Sequence, residues 1–210
     1  KLTEMATVFK QSMEPYFSRV PDSAMAKTAP YDFNIDACVT NKPVLKAILP
    51  GLKEMDSVTL KAHFSSGAGW DATLKAPSFA DSSITIKDLQ AKVVTQGDAL
   101  RANIAVAEIT SGSSLNIYST TLNASIAHNT IDAVLLNNDK TGKNKYRLGL
   151  KLDQPQKGQY ALSLKPDSLM LNYDSWNISR DNLIAYDGHG INIHNFELSK
   201  EGQLLKINSN

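Results

Sequence analysis

The sequence predicts a mainly β fold: an extended antiparallel meander curved around its apolar face, with a short N-terminal helical segment. Three observations predict it. From about residue 57 to the end, apolar residues recur at every second position, as in "SVTLKAHF" and "KYRLGLKLD". Turn residues such as Gly67, Gly97-Asp98, Ser111-Gly112-Ser113, Gly142, Gly158, Gly188 and Gly202 punctuate that pattern, at intervals of roughly 8–12 residues. No helix-sized segment separates consecutive strands, which argues against an α/β crossover fold.

Each element follows from its local pattern. In residues 2–19, Leu2, Met5, Phe9, Met13 and Phe17 fall three or four apart, the stripe of an amphipathic helix, with Pro15 expected to kink or restart it. "PDSAMAKTAPYD" (21–32) loses the helical period and reads as a linker. A short helical turn is expected within "KPVLKAILPGL", stopped by Pro50-Gly51. Strands follow at "SVTLKAHF", "WDATLKA", "SITIKDLQAKVVT", "ALRANIAVAEI", "SLNIYSTTLNASIA", "TIDAVLLN", "KYRLGLKLD", "QYALSLK", "SLMLNY", "GINIHNFELS" and "QLLKINS". The chain therefore divides into a helical preface and linker (1–30) and a β-rich groove segment (31–210). Its start on Lys1 and its close on strand-like "LLKINSN" suggest a piece of a longer, repetitive polypeptide.

The two faces of these strands differ. Over 146–171 one face carries Tyr146, Leu148, Leu150, Leu152, Tyr160, Leu162, Leu164, Leu169 and Leu171, and the other Arg147, Lys151, Lys165 and Asn172. Such a face suits either an ordinary sandwich core or the wall of an open groove. Aromatics make up only 7% of the chain, so the apolar surface is mostly aliphatic.

Charge is balanced, with 22 Lys plus Arg against 21 Asp plus Glu and no block of one sign, which disfavours nucleic acid as a partner. The single cysteine, Cys38, excludes an intrachain disulfide. His63, His128, His189 and His194 are scattered without ligand spacing, so no metal site is expected. Nucleophile-elbow and phosphate-loop motifs are absent. Carboxylate pairs such as Asp32 and Asp36, or Asp181 and Asp187, sit in polar stretches where solvation is the default. Neither an enzyme nor a cofactor is expected.

The densest polar stretch is "DSWNISRDNLIAYDGHG" (174–190), which has the residue types of a catalytic loop. Read whole, "LMLNYDSWNISRDNLIAYDGHGINIHNFELSKEGQLLKINS" (169–209) resembles a recurring unit of the TamB-like proteins of Bacteroidetes, in the AsmA-like superfamily. Trp176 in "WNIS", Asp181-Asn182 before a strand, Gly190-Ile191 leading into "IHNFEL", and the closing "GQLLKINS" carry the resemblance. "NKPVLKAILPGLKEMDSVTLKAHF" and "GDALRANIAVAEITSGSSLNIYSTTL" are similar to the same family more loosely, and residues 2–19 match nothing in its repeated pattern. Within such a unit Trp176, Asp181, Asn182 and Gly190 are expected to be architectural: the ring covers a strand end and the polar side chains shape the turns.

The resemblance implies that the meander is curved into a taco-like groove or open barrel, in a periplasmic protein anchored in the inner membrane by a segment elsewhere, whose aliphatic groove carries lipid between inner and outer membranes. Leu148, Leu150, Leu152, Leu162, Leu164, Leu169 and Leu171 are then the expected groove lining, and a phospholipid or other acyl-chain lipid the cargo. The alternative implied function is a scaffold that assists outer-membrane protein insertion together with a TamA-like barrel.

Overall fold

The computed structural model describes residues 2–18, 30–112 and 115–209. Helix α1 spans Leu2–Met13 and α2 spans Pro43–Ile48. The strands are β1 (Asp32–Val39), β2 (Glu54–Met55), β3 (Val58–Ser65), β4 (Gly69–Ala80), β5 (Thr85–Gln96), β6 (Ala99–Ser111), β7 (Leu115–Ala127), β8 (Thr130–Asn138), β9 (Asn144–Asp153) and β10 (Tyr160–Leu171). Six shorter ones follow: β11 (Asp174–Ser175), β12 (Asn177–Ile178), β13 (Leu183–Tyr186), β14 (Ile191–His194), β15 (Phe196–Lys200) and β16 (Gln203–Ile207). Most of the linker expected at 21–32 lies outside the described residues, as do the side chains of Leu2 and Met5.

One large antiparallel sheet runs in the order β1-β3-β4-β5-β6-β7-β8-β9-β10-β13-β14, with β2 on β4 and β11 on β10, and it does not close into a barrel. A second sheet holds β12-β15-β16. The predicted meander is what forms, and among the described residues helix is limited to α1 and α2. Three local expectations change. β1 lies in the β-rich segment but before the first strand expected at about residue 57, and its Phe33, Ile35, Ala37 and Val39 alternate; it pairs with β3 along its whole length, Asp32 opposite Ser65 through Val39 opposite Val58. "QYALSLK" and "SLMLNY" join into the single strand β10, because a bulge between Leu164 and Leu169 absorbs Pro166 without breaking the pairing to β9. "GINIHNFELS" divides at Asn195, whose φ of 47° turns the chain so that β14 stays in the large sheet and β15 enters the small one.

The sheet curls. Phe9 of α1 packs on Phe64 of β3 and also lines a cavity with Tyr160 of β10. Those strands are seven steps apart, about 34 Å in a flat sheet, so the apolar face must be strongly concave to bring both within reach of one side chain. Bulges supply the bend: pairing shifts between Tyr118 and Thr120 in β7, where Ser119 has φ 39°, and again between Leu164 and Leu169 in β10. On the convex side Gly149 makes room for the β10 bulge, since a Cβ there would stand 2.6 Å from that of Ser168.

The buried core sits under α1 at one end of the concave face. Tyr16, Ala62, Phe64, Trp70 and Leu100 form it, with Met13, Phe33, Leu60, Val93 and Ile126 packed around. Trp70 meets Phe64 edge to face at 4.7 Å and Phe9 at 4.8 Å, and its indole N–H donates to the Ser12 carbonyl at 3.3 Å. The hydroxyls of Tyr16 and Thr95 lie 2.5 Å apart, and the Asn129 N–H donates to the Tyr16 carbonyl. Pro15 ends the helix rather than kinking it: α1 stops at Met13 and a turn carries Tyr16 down onto the sheet.

Candidate functional site

In an antiparallel pair, residues directly opposite one another share a face. Following opposite pairs from strand to strand gives an uninterrupted apolar row of nine residues: Ile35, Ala62, Ala72, Val93, Ala102, Ala124, Ala133, Leu150 and Leu164. Two residues along each strand, a second row reads Ala37, Leu60, Leu74, Ala91, Ile104, Leu122, Leu135, Leu148 and Leu169. On the other side of the first row, Leu100, Ile126, Ile131, Leu152, Leu162, Ile184 and Ile193 continue a third from β6 to β14. Alanine dominates the first row and leucine the second, so the rows make a floor of small side chains with a taller aliphatic wall beside it. The groove runs across the strands, about 38 Å from β1 to β10 at the usual strand spacing.

All seven leucines expected to line a groove fall on this face. Leu148, Leu150, Leu152, Leu162, Leu164 and Leu169 are members of the rows, and Leu171 continues the β10 side with 36% of its surface exposed. Lys151 and Lys165 fall on the convex side, where the Lys165 Nζ meets the Asp132 carboxylate at 2.5 Å and Lys151 lies opposite Asp132. Sequence alternation located β9 and β10. It gave no sign that five alanines from five strands form one floor, because that depends on register.

This face is only partly covered. No large side chain among the described residues is fully buried, and Leu150, Leu152, Leu162 and Leu164 are each half-buried. The molecular surface is 13390 Å², whereas a compact monomer of 22.9 kDa exposes about 9,600 Å². A sheet that carries no second layer over most of its described length contributes to that excess.

The polar stretch at 174–190 holds turns together. Asn182, 3% exposed, donates its amide to the carbonyls of Leu164 (2.8 Å) and Ser179 (2.7 Å) and accepts from the Leu164 N–H at 2.8 Å. It thereby substitutes for a strand partner where β10 bulges. Trp176 is half-buried, and its backbone N–H donates to the Leu169 carbonyl just after that bulge. Asp181 is exposed and accepts from the Asn195 amide at 2.5 Å, rather than bonding its own backbone. Gly190 is exposed and donates its N–H to the Asp187 carboxylate at 3.0 Å. The backbone N–H groups of His189 and Gly190 hold the Asp187 carboxyl below its ordinary value, so it is an ionised turn cap. His189 is almost fully exposed. Asp139 behaves alike: the hydroxyls of Thr141 and Tyr173 keep its carboxyl well below the usual range. Elsewhere, Asp32 bonds His63 at 2.9 Å and Asp36 stands 3.8 Å from Lys61, exposed pairs on the convex face. Among the described residues no cluster of three His, Cys, Asp or Glu could hold a metal ion, and no helix is long and apolar enough to cross a membrane.

Asn182→Ala is expected to cost about 1–3 kcal/mol, since it leaves part-buried backbone groups of Leu164 and Ser179 without their side-chain partner. Chemical denaturation checks this, with His189→Ala as a control that leaves the midpoint unchanged.

Comparison with protein-family models, with curated proteins and with solved structures finds no match to this chain.

Proposed function

We propose that this chain is a periplasmic segment of a TamB/AsmA-like envelope protein, anchored in the inner membrane through another part of the polypeptide, whose concave β-face conducts lipid between inner and outer membranes. The observation that supports it is the pair of nine-residue rows without a single polar member. Most members of these rows are only half-buried, so the face keeps aliphatic surface in reach of water that a covering would remove. Unbranched acyl chains suit a narrow aliphatic trough that offers no hydrogen bonds, while their headgroups stay in water at its rim. Transfer along such a trough needs no covalent step and no cofactor.

A photo-crosslinking amino acid at Leu150 or Leu164 in the full-length protein should capture phospholipid in cells. The same probe at Lys151 or Lys165, on the convex face, should capture none. Equal capture on both faces, or capture on neither, overturns the proposal.

A second reading is favoured by a different observation. Among the described residues β1 has one neighbour in the large sheet, β3, so it presents an edge to which an extended client strand could add, whereas the outer edge of β14 is already met by Ser209, which bonds both backbone groups of Ile193. A scaffold for outer-membrane protein insertion beside a TamA-like barrel would use the β1 edge, and strand-to-strand disulfide trapping at β1 with a client barrel tests it.

A further inference from the structure

Helix α1 packs directly on the sheet along one side, and the turn after it is tied to the β7–β8 turn through Asn129. Phe9, Ser12 and Tyr16 engage Phe64, Trp70 and Thr95 of β3–β5. Toward β7–β10 the helix stands off the sheet and leaves a cavity of about 510 Å³, partly open to solvent. Met13 and Phe17 roof it, and Ile126, Ile131 and Leu152 from the third apolar row floor it. Packed protein interiors contain few voids larger than a water molecule, whereas ligand sites occupy about 300–1,000 Å³. The size therefore belongs to a binding site rather than to a packing defect. Its walls present hydrocarbon, so the part of a ligand that enters must be hydrocarbon too.

The rim adds a headgroup preference. Lys10 on α1 and Glu14 in the turn just after it also line the cavity. Neither is held in an ion pair by any described residue. A cation and an anion on the rim of one cavity complement a headgroup that carries both a phosphate and an ammonium. A headgroup with net negative charge would meet Glu14 unfavourably.

We propose that the cavity under α1 holds one acyl chain of a zwitterionic phospholipid, its phosphate at Lys10 and its ammonium at Glu14. This rests on the lipid-groove reading and makes α1 a clamp over the trough: the bound chain lies on the same row as Leu162 and can pass along it.

The test is equilibrium binding to the purified full-length protein of lysophosphatidylethanolamine, lysophosphatidylglycerol and palmitate, with native mass spectrometry to count bound molecules. One lysophosphatidylethanolamine is expected per chain. Leu152→Trp, which fills the cavity from below, and Met13→Trp, which fills it from above, should each weaken binding by about tenfold or more, the cost of displacing a buried chain. Lys10→Glu, at an exposed position that folding tolerates, should weaken lysophosphatidylethanolamine by about tenfold and palmitate by a similar or larger factor. Unchanged binding in the filled variants overturns the proposal, as does lysophosphatidylglycerol binding as tightly as lysophosphatidylethanolamine. The conduit stands or falls separately: capture at Leu150 or Leu164 with no lipid retained under α1 sinks only the clamp, and the converse sinks only the conduit.

Discussion

Trp70→Ala is expected to lower stability by about 3–5 kcal/mol, the range for truncating a large buried aromatic, and to release α1 from the sheet. The ring is 8% exposed and contacts Phe64 and Phe9, so its loss opens a hole where helix and sheet meet. It also removes the donor to the Ser12 carbonyl. Denaturant unfolding measures the first effect. Proteolysis within the first 18 residues measures the second, and should accelerate in Trp70→Ala before global unfolding begins. Trp70→Phe keeps an aromatic ring but loses the indole N–H, so it should fall between wild type and Trp70→Ala. Trp176→Ala should cost less than Trp70→Ala, because that ring is only half-buried. Equal losses at the two tryptophans would mean that the core beneath α1 is not the main anchor of the fold.

Leu150→Asp is expected to abolish lipid transfer while the sheet stays folded. Leu150 sits in the first apolar row near its β10 end, with Ala133 and Leu164 as its row neighbours, and it is half-buried. A carboxylate there can reach water across an open trough at modest cost. In a sealed core the same charge would cost several kcal/mol and unfold the protein. Circular dichroism and thermal melting of the variant, beside a lipid-transfer measurement in the full-length protein, separate the two cases. A folded variant with full transfer would remove this row from the lipid path; an unfolded one would make it a closed core.

Much of the architecture was legible in the sequence because alternation is a local property. A strand with one wet and one dry face must write that difference at every second residue, as in Lys145-Tyr146-Arg147-Leu148, and eight long strands from β3 to β10 do so. β1 was missed although Phe33, Ile35, Ala37 and Val39 alternate with Asp32, Asn34, Asp36 and Cys38, because one short alternating run beside a linker is ambiguous by itself, and its identity is settled by pairing with β3 at the edge of the sheet. Likewise the role of Asn182 could be anticipated as turn architecture, but not its partner: Leu164 is 18 residues away and becomes available only where β10 bulges.

The sequence by itself determined that the chain is a β meander with one aliphatic face, since period and side-chain chemistry are fixed residue by residue. Tertiary structure alone decided what that face becomes. Register aligns alanines from β3, β4, β6, β7 and β8 into one floor, and bulges curl the sheet. One tryptophan, Trp70, rather than the more conspicuous Trp176, fastens α1 across the mouth. Each of these depends on contacts between residues far apart in the chain, and pairwise register has no signature within any single strand.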